Sequence, residues 1–538
     1  MGAEENSATL LAALRNPAPY PHLVRRVELV QTHISWVLLT GSYAYKVKKP
    51  VNLGFLDFTT LAGRRHYCEE ELRLNRRLAP ELYLDVVPIA GTTQHPRVGG
   101  DGPPIEYAVK MKEFSQSALL DNAVARGEVS TESIEAFAHK IADFHVGLPP
   151  QAPHAQYDAD ACVLAPAVDN FEQIRPLLKA PADIATLEEI RAWTLREFKT
   201  KAAHFNQRHA QGYVRECHGD LHLGNIVLLD GVAVPFDGIE FNPGLRWMDV
   251  MNEAAFLVMD LEAHGRRDLA YAFLSVYLEA GGDYAGIAQL PYYLVYRAMV
   301  RAKVNLIRSR QRDLSPAQRE RATADYQRYI ELAASHTRQS RGAVIIMHGY
   351  SGSGKTTFAR KLRATLGAVR VRSDVERKRL HGLHALARAE AANGAGIYAN
   401  DETTRTYAQL LAHAKSVAGA GFPVIVDATF LRIAHRAAFR ALALTLGVPF
   451  AIVHMEATPA ALRARLTARA ASGTDASDAT LQVLEAQIRG GDELTGEELN
   501  DTIIAADDAT AKRTLCDELA KRIVGSMNTP LRIRGSSA

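Results

Sequence analysis

Cysteine is scarce. The four in the chain, Cys68, Cys162, Cys217 and Cys516, stand far apart and form no CxxC pair, which excludes a zinc knuckle and a disulfide scaffold. Each is expected to be a small buried apolar residue in a reducing compartment. Aromatics make up only 7% of the residues and rarely interleave with basic ones, so no stacking platform for single-stranded nucleic acid is legible. No apolar run approaches the ~18 residues of an ordinary membrane-spanning helix. The first residues, MGAEENSATLLAALRNP, lack the basic start and continuous apolar stretch of a signal peptide. Asn6 stands where a myristoylation signal wants Ser or Thr. The expectation is a cytoplasmic protein with no membrane partner.

What is present is length and ordinary globular composition. A chain of 538 residues, 47% hydrophobic and 23% charged, is long enough for two or more domains with separate cores. Its net charge of +3 hides a split. From Arg341 onward, 26 Lys and Arg face 19 Asp and Glu, a balance of +7, while the first 340 residues carry 37 against 41, a balance of −4. The texture changes at the same place. VELVQ, SWVLLTG and YAYKVKK read as short strands, with a Gly41-Ser42 turn between the last two. The helical stretch RRHYCEEELRLNRRLA and the strands LYLDVVPIA and IEYAVKMKEF follow, and then mostly helix. Ser315-Pro-Ala-Gln318 reads as a capping box opening a long helix. Beyond it AVIIMHG, VRVRSD, FPVIVDATF and PFAIVHME alternate with helices, the rhythm of a parallel α/β sheet. The expected domains are therefore 1–340 and 341–538, and a loose tail is expected from about Met527.

The second of these carries Gly349-Tyr-Ser-Gly352-Ser353-Gly354-Lys355-Thr356, a full GxxxxGK[ST] match between an apolar strand and a helix. Such glycines let successive backbone N–H groups face a phosphate, and the helix N-terminus adds a favourable dipole. Lys355 can reach the terminal phosphates of ATP, Thr356 can ligate Mg²⁺, and Thr357 follows in the same turn. Asp374 ends the next strand, where a carboxylate can take a proton from an acceptor hydroxyl, with Arg377 three residues on. Asp427 ends the FPVIV strand, suited to Mg²⁺. Arg465 and Arg469 lie four apart on one helix face, able to close over a phosphoryl group. GYSGSGKTT, SDVER, VIVDAT and the Arg-bearing segment resemble the small P-loop kinases that include gluconokinase, polynucleotide 5′-kinase and zeta toxin. The resemblance implies that Asp374 acts as base and that Arg377 contacts substrate or phosphate. It does not carry the acceptor over.

The first domain carries His218-Gly-Asp220-Leu-His222-Leu-Gly-Asn225, the HxDxxxxN spacing of a kinase catalytic loop. Asp220 can accept the acceptor's proton, Asn225 can ligate Mg²⁺, and Asp237 beyond the next strand pair is the natural second metal carboxylate. A rival arrangement would make His218, Asp220 and His222 a metal cluster, but Gly219 and Gly224 suit a loop better. Lys46 and Lys48 share one strand face, and Glu71 in the following helix can pair with one of them; Lys46 is favoured for the phosphates. HGDLHLGN and FDGIEF resemble the aminoglycoside phosphotransferase and choline kinase group. That group has the protein-kinase-like bilobal fold, and the looser LTGSY turn stands in for its missing GxGxxG. In that group carboxylates in the region of Asp249, Glu253, Asp260 and Glu262 can bind cationic acceptors; a solvated or capping acidic face is the plainer reading. The order of the two domains resembles fused bacterial proteins described as phosphotransferase/ATP-binding.

The fold class expected is thus α+β and α/β, a protein-kinase-like bilobal domain followed by a P-loop parallel α/β domain. The expected activity is ATP- and Mg²⁺-dependent phosphotransfer to small-molecule hydroxyl groups. Two alternatives stand beside it. One domain could be a nucleotide-gated sensor of the other, or the P-loop domain could phosphorylate nucleic-acid 5′ ends, a partner the low aromatic content disfavours.

Overall fold

The computed structural model describes the chain except for residues 1–2, 53, 55, 152–157, 312–313, 339–340, 384–399, 473–479, 506–514, 517, 520, 522, 524 and 526–538. The tail expected from Met527 therefore lies outside the described residues. The chain divides into two compact units, one of residues 1–133, 147–158 and 206–257, the other of 134–146, 159–205 and 258–538. This partition by packing does not follow the 340/341 boundary, which remains a proposal about chemical modules.

The helices in chain order are α1 (Ala3–Leu14), α2 (Leu61–Asn75), α3 (Leu120–Ala125), α4 (Thr131–Gly147), α5 (Ala165–Ile174), α6 (Pro181–Ala210), α7 (Val250–Ala263), α8 (Arg267–Gly281), α9 (Leu290–Ser309) and α10 (Pro316–His336). From there the order continues as α11 (Lys355–Leu366), α12 (Ser373–Leu380), α13 (Asn400–Gly419), α14 (Ile433–Leu446), α15 (Pro459–Ser472), α16 (Leu481–Gly490) and α17 (Gly496–Leu499).

In the first unit, β1 (Glu28–Gln31), β2 (Ser35–Leu39), β3 (Tyr43–Lys48), β4 (Tyr83–Gly91), β5 (Pro96–Val98) and β6 (Pro104–Lys112) form one antiparallel sheet in the order 1-2-3-6-4-5. Val47, Ala108 and Ile89 point into a core with Leu38 and Tyr45. On the opposite face Ala44, Val109 and Met111 pack with Cys68 of α2. The sheet is thus apolar on both faces, and the two lysines of β3 enter that interior only because carboxylates meet them there. Two small antiparallel pairs complete the unit: β7 (Val214–Glu216) with β10 (Trp247–Asp249), and β8 (Ile226–Leu229) with β9 (Val232–Pro235).

In the second unit, β11 (Ala343–His348), β12 (Val369–Arg372), β13 (Pro423–Asp427), β14 (Phe450–Met455) and β15 (Thr502–Ala505) form a fully parallel sheet in the order 12-13-11-14-15. β11 and β13 are buried at every residue, as a sheet covered by helices on both faces requires. The expected capping box is present: Ser315 accepts from the Gln318 N–H while the Gln318 side chain caps the Ser315 N–H.

The sequence expectation for the thiols needs one correction. Cys68, Cys217 and Cys516 are buried, whereas Cys162 is exposed. Its neighbours Asp160 and Ala161 are exposed or nearly so, so the packing that would cover it is absent on that turn. Among the described residues no helix is long and apolar enough to cross a membrane.

Candidate active sites

The first site is built on β3, α2 and the two loops around β8 and β9. Lys46 Nζ donates to Glu71 Oε1 at 2.8 Å and to Asp237 Oδ1. Lys48 Nζ donates to the other Glu71 oxygen at 2.5 Å and to Glu240 Oε1. Glu71 therefore pairs with both lysines, not with one. Burial alone would raise the Glu71 carboxyl, but the two ammonium groups outweigh it and hold it below the usual carboxylate range. Burial alone would likewise lower Lys46; Asp237 and Glu71 reverse this and keep it charged. Lys46 is the lysine that reaches Asp237, while Lys48 is sealed beneath it at 0% exposure.

Asp237 sits in the left-handed region (φ 63°), a conformation that needs outside support in a non-glycine residue. The support is a bond on each side. Tyr83 Oη accepts the Asp237 N–H at 3.0 Å, and Asn75 Oδ1 accepts the Gly238 N–H at 2.8 Å. Asn75 lies one helical turn after Glu71, so α2 steadies both the ion pair and the metal-carboxylate loop.

In the catalytic loop, Asn225 Nδ2 donates to Asp220 Oδ2 at 2.8 Å, which brings the expected base and metal amide together. Glu253, fully buried, accepts the Gly219 N–H at 2.6 Å and braces the loop from α7. His218 Nε2 faces the Phe236 carbonyl at 3.0 Å and its Nδ1 accepts the Asp220 N–H at 3.3 Å. Both ring nitrogens are occupied, and burial pushes the ring's pKa down, so His218 is a neutral structural residue. The rival metal cluster of His218, Asp220 and His222 loses a ligand on this geometry. Asp220, Asn225 and Asp237 present carboxylate and amide oxygens, a hard donor set that fits Mg²⁺.

The acidic run near α7 is spoken for. Asp249 holds Arg208 at 2.5 and 2.7 Å, Asp260 accepts from Tyr329 Oη at 2.5 Å, and Glu262 meets His336 at 2.9 Å. It is not a solvated face, and its capping role holds at Asp249, whose Oδ1 accepts the Met251 N–H at 2.9 Å at the start of α7. The LTGSY turn joins β2 to β3, where Gly41 N–H donates to Glu113 Oε2 at 2.7 Å. The turn from β1 to β2 carries Thr32, His33 and Ile34, and Lys49 holds it through Thr32 O and Ile34 O.

The second site lies at the C-terminal ends of the adjacent strands β11 and β13, where ligands of open α/β sheets bind. Its cavity measures about 510 Å³. Gly349 (φ 136°), Gly352 (φ 85°) and Gly354 (φ 90°) curl the loop into the start of α11. A side chain on Gly349 would also crowd the Met455 carbonyl at 3.0 Å. Lys355 Nζ bridges the Gly349 and Tyr350 carbonyls at 2.9 and 2.7 Å.

Of the residues expected from sequence, Gly352, Gly354, Lys355, Thr356, Thr357, Asp374, Arg377, Asp427 and Arg465 line this cavity. Gly349 and Ser353 do not; Ser353 is buried, with no partner for its hydroxyl among the described residues. Arg465 Nη1 donates to Gly352 O at 3.4 Å and Arg377 Nη1 lies 3.5 Å from Asp374 Oδ1. The Arg469 side chain lies outside the described residues. Asp427 is 6% exposed, and its Oδ2 has no hydrogen-bond partner among the described residues. A buried orphan carboxylate oxygen in a phosphate-loop cavity fits a divalent cation.

Gln487, Tyr407, His435 and Arg432 are among the further residues that line the cavity without having been foreseen. Gln487 of α16 grips Ser351, accepting its N–H at 3.0 Å and donating to its hydroxyl at 3.1 Å. Tyr407 and His435 stack with ring centroids 3.7 Å apart, and Arg432 stands at the start of α14. Arg432 could have been found, since it follows the VIVDAT strand and precedes a helix. Nothing local marks Tyr407 or Gln487, which arrive from distant helices.

A lysine–glutamate pair beside an HxDxxxxN loop in one unit, and a phosphate loop on a parallel sheet in the other, are each suited to hold the phosphates of a nucleotide. Residues 344–494 match a family described as AAA domain. Over 458 residues the chain is 30% identical to Uncharacterized protein Rv2004c of Mycobacterium tuberculosis, spanning 84% of this chain and 88% of that one. It belongs to the same family as that mycobacterial protein. Among solved structures, the amicoumacin kinase hAmiN is similar at 15% identity, with TM-score 0.38, over 62% of this chain and 96% of its own. A choline/ethanolamine kinase family protein from Mesorhizobium loti gives 11% identity and TM-score 0.35, over 62% and 100%. A gluconokinase from Sinorhizobium meliloti gives 18% and 0.25, over 35% and 98%.

Proposed function

We propose that both sites transfer the γ-phosphoryl group of ATP to hydroxyl groups of small molecules. The observation that carries this reading is the double engagement of Lys46, which ties Glu71 of α2 to Asp237 in the loop after β9. A lysine held between those two carboxylates is oriented for phosphate oxygens rather than for solvent. In the first site Asp220 takes the acceptor's proton as its oxygen forms a bond to the γ-phosphorus and the bond to the β-phosphate oxygen breaks. Asn225 and Asp237 would hold Mg²⁺, which when bound supplies charge neutralisation along the phosphates.

In the second site the N–H groups of Gly352 to Thr356 and the Lys355 ammonium cradle the phosphates, while Thr356 and Asp427 would hold Mg²⁺. Asp374 takes the acceptor's proton. Arg377 and Arg465 counter the charge that spreads over the transferred group. The test is phosphate ester formation from ATP across a panel of sugars, sugar acids, polyols, nucleosides and amino alcohols. Asp220→Asn and Lys355→Ala should each abolish a different subset of products. If neither substitution alters ATP turnover, the reading fails.

A further inference from the structure

The helix that presents Asp374 and Arg377 is held from outside its own sheet. Three arginines from β12 and α12 converge on the C-terminal turn of α8. Arg370 and Arg372 approach the two carboxylate oxygens of Glu279 at 3.5 and 3.2 Å, and Arg379 donates to the Glu279 carbonyl. Gly282 caps α8 in the left-handed conformation (φ 76°), and a Cβ there would run into the Arg379 guanidinium. A guanidinium on the terminal carbonyls also meets the negative end of the helix dipole. One turn earlier, the Ser275 hydroxyl accepts the Arg370 N–H at 3.2 Å.

A second clasp holds the same side of α12, where Glu376 also lies 3.6 Å from Arg379. Glu376, 1% exposed, pairs with His413 of α13 at 3.0 Å, and the Tyr284 ring lies 4.2 Å from the His413 ring. Tyr284 follows α8 directly. The grip thus falls on Arg370 and Arg372 of β12 and on Glu376 and Arg379 of the two-turn helix α12, where the last two alternate with the cavity residues Asp374 and Arg377. Buried ion pairs of this kind add little net stability over apolar packing, but they fix one geometry.

We propose that Glu279 is a positioning residue for the phosphate-loop site, setting the orientation of Asp374 and Arg377 through β12 and α12. The proposal rests on the reading of those two residues as the acceptor side of that site. The gripping residues are not among those that line the phosphate-loop cavity, so nucleotide binding and phosphate transfer should separate. A misplacement of about 1 Å in such groups lowers transfer by up to roughly 100-fold.

The experiment uses the full chain carrying Asp220→Asn, so that the first site is silent. Phosphate transfer from γ-labelled ATP to the acceptor panel and the affinity for a fluorescent ATP analogue are measured for Glu279→Gln, Arg379→Ala, Arg379→Lys and Asp374→Asn. Arg379 is partly exposed, so its variants serve if Glu279→Gln fails to fold. The expected result is nucleotide affinity unchanged within about twofold, kcat lowered roughly 10- to 100-fold in Glu279→Gln and Arg379→Ala, and recovery in Arg379→Lys, which keeps a donor to the carbonyl. Unaltered transfer overturns the proposal, as does a loss of nucleotide affinity equal to the loss of transfer. If Asp374→Asn itself leaves transfer unchanged, the underlying reading of the site has failed instead.

Discussion

Lys48 Nζ lies 2.5 Å from Glu71 Oε2, and neither side chain is exposed to solvent. The pair sits one strand step beyond Lys46, which uses the other Glu71 oxygen. Two lysines two residues apart on one strand face thus share one carboxylate, with Glu240 and Asp237 balancing the remaining charge. The pair nearer Asp237 serves chemistry and the deeper one serves the fold.

The first prediction separates the two. Lys48→Met leaves Glu71 its Lys46 partner but strands the buried Glu240, and breaking such a buried pair costs about 3–5 kcal/mol. Denaturant unfolding should show that loss. Lys46→Met leaves Glu71 its Lys48 partner, so it should cost less stability while removing most turnover at the first site.

Asp220→Asn keeps the size of the side chain and loses the proton acceptor. Turnover at the first site should fall by about 10²–10⁴-fold with the fold intact by circular dichroism. Glu253→Gln should act in the same direction more weakly, because it loosens the Gly219 N–H without removing the base.

A pH effect follows from the strand ends beneath the phosphate loop. His348 and His454 face each other across β11 and β14, with Nδ1 atoms 2.7 Å apart. Burial, together with His454, Arg436 and Lys355, lowers the His348 pKa from the model-peptide value of 6.5 to about 3. Below pH 6.5 the unfolded chain therefore binds a proton that the folded chain refuses, and stability falls as pH drops from 6.5 toward 3. The slope from this residue reaches at most about 1.4 kcal/mol per pH unit. His348→Asn should flatten that part of the stability profile, measured by denaturant midpoints between pH 4 and pH 7, chosen as roughly the span where the slope is greatest.

A fourth prediction concerns Asp427. Its orphan oxygen is the feature that fits a divalent cation, so Asp427→Asn should weaken Mg²⁺-dependent nucleotide binding at the second site. Binding measured with excess chelator should be the same in both forms. Equal binding of the Mg²⁺ complex by wild type and variant would remove Asp427 from the metal set.

Much of this was legible in advance because the motifs are local. Gly349 to Thr356 and His218 to Asn225 carry their geometry within eight residues, β11, β13 and β14 announced themselves as apolar runs, and β12 as the Val-Arg alternation of VRVR. The choice between Lys46 and Lys48 was not legible, since it depends on Asp237 and Glu240, some 190 residues away. Tyr407, His435 and Gln487 escaped for the same reason: each reaches the cavity from a separate helix. The acidic face at Asp249, Glu253, Asp260 and Glu262 was legible only in part, since sequence gives charge but not partner: Asp249 caps α7, while Arg208, Gly219, Tyr329 and His336 meet the four carboxylates from other elements.

The account's central claim is that the chain holds two independent phosphate-transfer sites. The most direct measurement is ester formation from ATP by four forms of the full chain: wild type, Asp220→Asn, Lys355→Ala and the double variant. Two product sets, each removed by one substitution and both absent in the double variant, are the predicted result. A single product set removed equally by either substitution would contradict it, and would make one site the servant of the other.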